Sequence, residues 1–108
     1  MQAKLKINGK EAIIDMDEVS GIKNFTGLMF NKNSNALLFE IKNKAIHSCF
    51  CQPFLAIWLL EGKIIDYKLI EPWKFSIKPE KDFDKLIEIP LNKKYEEIMD
   101  LFLKEGKI

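Results

Sequence analysis

Three side chains able to ligate a metal fall two residues apart: His47, Cys49 and Cys51. On an extended strand that spacing puts all three on one face. Strand rise then separates residues 47 and 51 by about 13 Å, beyond the roughly 11 Å over which one zinc ion bridges two ligand Cα atoms. Two neighbours alone could ligate, but their remaining ligands must come from elsewhere, and the chain offers no CxxC or HxxxH pair. The pattern reads more simply as two buried cysteines acting as small hydrophobes beside a hydrogen-bonded histidine. A Cys–His nucleophile pair would also need an orienting group and an oxyanion site, and no residues can be assigned to them. Cys49 and Cys51 are expected as free thiols, because i and i+2 on a strand lie near the roughly 7 Å Cα limit for a disulfide.

The second group able to do chemistry is carboxylate and aromatic. Asp66 and Glu71 flank a strand near Trp73, an arrangement that would suit sugar binding or hydrolysis. The same residues are expected on the wet side of any strand, and the solvated face is the simpler reading. Trp58 lies within an apolar run and reads as core, whereas Trp73 follows Pro72 in a long loop. Any binding is placed on that loop, 72 to 84, with Trp73 and Phe75, together with Gly27 and Met29 of the GLM segment. Long loops on a rigid scaffold carry function, tryptophan offers a large contact surface with an N–H, and methionine adapts to irregular partners. The rival reading, slightly preferred, has Trp73 and Phe75 tucking down to close one end of the fold.

The elements that must position these groups are mostly strands. KLKI-NG-KEAII is a hairpin signal in which Asn8-Gly9 supplies a type I′ turn, pairing Leu5 with Ala12 inside and Lys6 with Glu11 outside. Asp17 is read as the cap of a short helical turn running toward Ile22. ALLFEI (36 to 41), Ile46 to Cys51 and Lys85 to Ile89 read as strands, the last two closed by Pro53 and Pro90. FLAIWLL (54 to 60) is apolar at both parities, which predicts a strand covered on both sides. Glu61-Gly62 then turns it into a partner, 63 to 70, with Ile65, Tyr67 and Leu69 on one face and Asp66 and Lys68 on the other. The chain ends in a helix capped at Asn92, whose apolar stripe is Tyr95, Ile98, Met99 and Phe102.

Composition excludes several classes. A single domain spanning 1–108 is expected from 108 residues, with 47% hydrophobic content and enough core to dispense with metal or disulfide support. Net charge is +1 and all 17 basic residues are lysine, so the forked side chain that reads guanine and grips phosphate is absent. Sequence-specific nucleic-acid binding is therefore not expected, nor is membrane association, since no apolar run approaches the ~20 residues of a span. The opening MQAKLKING lacks an apolar signal core, and two cysteines one residue apart suit a reducing compartment, so a soluble, cytoplasmic protein is expected.

Three blocks in order resemble the domain-of-unknown-function family 192: GLMF followed by ALLFEI, then IHSCFCQPFLAIWLLEGKII, then EPW followed by LIEIP and a late KEGKI. The resemblance covers about residues 20–108. It implies a compact, mainly β, barrel-like domain with one short C-terminal helix, and no established activity, cofactor or catalytic residue. Two positions depart from the family pattern: Phe30-Asn31 stands where an arginine usually follows GLM, and Leu55-Ala56 where an aspartate usually follows the central proline. The combined expectation is a mainly β (α+β) fold, a small barrel-like antiparallel or mixed sheet with an N-terminal hairpin, one short helical turn and a C-terminal helix. The expected function is a non-catalytic binding or protein-interaction module for an unknown protein or small ligand, with no cofactor. The alternatives are a small metal-dependent enzyme using His47 with Cys49, or a purely structural domain that forms homo-oligomers.

Overall fold

The computed structural model describes residues 2–7, 9–19, 35–43, 46, 53–71, 73, 76–91 and 93–105. Six strands form one sheet: β1 (Gln2–Ile7), β2 (Lys10–Val19), β3 (Ala36–Phe39), β4 (Phe54–Leu60), β5 (Lys63–Ile70) and β6 (Lys85–Pro90), followed by a 3₁₀ turn (Lys93–Tyr95) and helix α1 (Glu96–Glu105). Their order across the sheet is β1-β2-β3-β6-β4-β5, and the sheet curls into a half-barrel. Polarity explains the order. β4 and β6 are buried along nearly their whole length and take inner places, whereas β5 alternates between exposed and half-buried and takes an edge. No described helix is long and apolar enough to cross a membrane.

The first hairpin has the register its sequence dictates, with Leu5 opposite Ala12 and Lys6 opposite Glu11, and Gly9 sits at φ 83° where a left-handed turn position is required. Asp17 does not cap a helical turn. β2 runs straight through it to Val19, because Met16 to Val19 find a parallel partner in Ala36 to Phe39 of β3, a pairing far apart in sequence. β6 then inserts between β3 and β4, antiparallel to both. Its final residue, Pro90, stands opposite Phe54 at the end of the ladder, where a missing N–H is tolerated.

Each face of the sheet has its own core. On the concave side Ile14, Met16, Leu38, Leu55, Ile57 and Ile87 surround Tyr95, Met99 and Phe102, so the helix stripe plugs the half-barrel. The Phe102 ring meets Tyr67 of β5 edge-on at 4.8 Å between centroids. The Tyr95 hydroxyl does more. It accepts the Ala36 N–H at 2.7 Å and donates to the Asp15 carbonyl at 2.8 Å, at the point where β2 and β3 begin to pair. On the convex side Phe39, Phe54, Trp58, Ile70 and Leu86 lie under Ile77 and Phe83 from the stretch after β5. Two-sided burial of β4, as its unbroken apolar run predicts, follows from this double cover.

One face assignment changes. The β4–β5 register slips between Trp58 and Leu59, so that Trp58 faces Asp66 while Leu59 faces Ile64, leaving Ile65 as the extra, bulged residue. Ile65 therefore packs with the convex core and not beside Tyr67.

Candidate functional site

The stretch between β5 and β6 is held down at three points. Ile77 and Ile46 exchange backbone hydrogen bonds of 2.8 and 2.9 Å as an isolated bridge. Asn43, at φ 54°, accepts the Phe83 N–H through Oδ1 at 2.8 Å and donates its own N–H to the Phe83 carbonyl at 3.2 Å. Asp84 donates its N–H to the Leu59 carbonyl and accepts the Glu61 N–H at 3.2 Å, tying the stretch to the β4–β5 turn. Within it, Ser76, Lys78 and Glu80 are exposed while Ile77 and Pro79 are buried. That is the alternation of an extended chain with one face on a core.

Between this stretch and β5 lies a half-open cleft of about 540 Å³, within the range of small-ligand sites. Its walls are residues 68 to 71 with Asp66 on one side and residues 76 to 80 on the other; Trp58 contributes from below. Trp58 is 1% exposed and its ring meets Phe83 at 6.3 Å, edge to face. Its indole Nε1–H is buried and has no hydrogen-bond partner among the described residues. Buried donors are nearly always satisfied, and an orphan costs about 1–3 kcal/mol.

Glu88 shares the convex face. The register sets it between Leu37 and Ala56, and Ala56 in turn faces Lys68, so the glutamate and the lysine flank the smallest side chain of the row. It is 8% exposed, and burial pushes its carboxyl up to about 8 from the ordinary carboxylate range. Glu88 is therefore largely protonated at neutral pH. It does not line the cleft.

The loop named from sequence does build the cleft, but through residues 76 to 80 and not through its tryptophan. Trp73 is 58% exposed, stands at φ 67° and is not among the lining residues. It does not close an end of the half-barrel; the concave side is filled by the α1 stripe. Gly27, Met29 and Phe75 lie outside the described residues, as do His47, Cys49 and Cys51. Among the described residues no group of three or more His, Cys, Asp or Glu is placed to hold a metal ion. Trp58, read from sequence as core alone, is core and cleft lining at once. Its mid-strand position announced the burial, but nothing local announced the orphan N–H. No family model matches the chain, and no curated protein or solved structure matches it.

Proposed function

We propose that this protein is a non-catalytic binding module whose ligand occupies the cleft between β5 and residues 76 to 80. The observation that carries the reading is the cleft itself, about 540 Å³ and floored by Trp58, whose buried Nε1–H has no partner among the described residues. A ligand with an apolar body would pack against Trp58, Ile70 and Ile77, and the exposed Asp66, Lys68, Lys78 and Glu80 supply a mixed-charge rim for orientation. Among the described residues the one carboxyl with a strongly raised pKa, Glu88, stands outside the cleft lining, which favours binding over acid–base chemistry. The order of the three sequence blocks supports reading the chain as a divergent relative of family 192, and the cysteine usage supports a cytoplasmic setting.

The test is a fragment screen read on the indole N–H resonances of Trp58 and Trp73, assigned with a Trp73→Phe variant. Amphipathic carbonyl or carboxylate fragments are expected to shift Trp58 and leave Trp73 unmoved. A Trp58 resonance indifferent to every such fragment would refute the reading.

A further inference from the structure

The walls of the cleft say what kind of ligand it takes. Residues 68, 69, 70 and 71 line it consecutively. Successive side chains of a strand point to opposite faces, so a surface touching four in a row runs along the backbone edge. β5 ends the sheet, and among the described residues no strand pairs with its outer edge beyond the point where β1 approaches residues 62 to 64. The facing wall is also extended, with exposed Ser76, Lys78 and Glu80 alternating with buried Ile77 and Pro79. A strand within a sheet fills about 160 Å³ per residue, from its rise, strand spacing and sheet thickness. A cleft of about 540 Å³ thus holds three to four extended residues, the length of the 68 to 71 wall.

The charges repeat with the same period. Asp66 and Lys68 stand two residues apart on one wall, Lys78 and Glu80 two apart on the other, and all four are exposed. Two residues is also the spacing at which an extended peptide presents successive side chains on one side. Resting on the binding reading above, we infer that the cleft receives a short extended peptide of another protein, added alongside the outer edge of β5. Its pattern is an apolar residue flanked by one basic and one acidic residue. The apolar side chain points toward Trp58, Ile70 and Ile77, and the flanking charges meet the rim. Main-chain hydrogen bonds to β5 supply the affinity and the alternate side chains the selectivity, as in other strand-addition sites.

The experiment is selection of a phage-displayed random heptapeptide library on the full chain, in parallel with a Lys68→Glu, Lys78→Glu double variant that changes only exposed side chains. Peptides carrying oppositely charged residues two apart around an apolar one are expected to be enriched on the native chain and lost on the variant. A synthetic copy of the best sequence should slow hydrogen exchange at residues 66 to 71. Methylating its alternate backbone nitrogens should weaken binding by about tenfold or more, through lost main-chain hydrogen bonds. Equal enrichment on both proteins overturns the inference, and so does undiminished binding of the methylated peptide. Protection of 66 to 71 that rises with protein concentration in the absence of peptide also overturns it, by making a second copy the occupant. If fragments shift the Trp58 indole while no peptide is selected, the cleft binds but not by strand addition, and only this inference falls.

Discussion

Removing one oxygen atom, by Tyr95→Phe, tests how the parallel pairing of β2 with β3 is held. Tyr95 is buried with its ring among the concave core, and phenylalanine keeps that packing. What is lost is a hydroxyl that accepts from the Ala36 N–H and donates to the Asp15 carbonyl. Ala36 is wholly buried, so its N–H would be left without a partner, at about 1–3 kcal/mol. Asp15 is exposed, and its carbonyl can turn to water, so that half should cost roughly 0.5–1 kcal/mol. The sum is roughly 1.5–4 kcal/mol, which for a domain of this size lowers Tm by on the order of 10 °C. Urea unfolding followed by far-ultraviolet circular dichroism would read it as a lower midpoint with an unchanged slope. Hydrogen exchange should locate the loosening at residues 16 to 19 and 36 to 39. A loss below about 0.5 kcal/mol, the range of ordinary surface changes, would refute the claim that the hydroxyl pins the two strands together.

Ile57→Ala, at a position with no exposure between Tyr67 and Ile87, should cost about 2–5 kcal/mol in the same unfolding assay; a surface-like value would contradict two-sided burial of β4. Trp73→Ala should leave stability within about 0.5 kcal/mol, since the side chain is 58% exposed; a loss of several kcal/mol would restore the lid reading. Glu88 makes stability depend on pH. Its folded pKa is raised to about 8 from 4.5, so the folded state holds a proton that the unfolded state releases across that window. Its contribution is fully present below about pH 4.5, falls by up to about 1.4 kcal/mol per pH unit as pH rises, and is gone above about pH 8. Glu88→Gln should flatten this part of the profile in denaturant titrations between pH 5 and 9, and an unchanged slope in the variant would remove Glu88 as its source.

What the sequence determined by itself is local. Asn8-Gly9 between alternating strands dictated the first hairpin to the residue, since a two-residue turn leaves one register in which Leu5 and Ala12 share a face. The unbroken run FLAIWLL required cover on both sides, and the spacing of Tyr95, Met99 and Phe102 required a helix with one buried stripe. What only the tertiary structure decided is which elements become neighbours. A period of two tells a strand which face is wet but not which strand lies beside it. Asp17 therefore looked like a helix cap until β3, from far along the chain, offered β2 a parallel partner. The bulge at Ile65 is a compromise between the β5 pattern and the register that β4 imposes. Glu88, the one charged residue in LIEIP, is buried because β6 is drawn between β3 and β4. The cleft belongs to this second kind of information. Trp58 and residues 76 to 80 meet only because the chain after β5 folds back over the convex face, and that return is held by Ile46, Asn43 and Leu59, partners no local pattern could name.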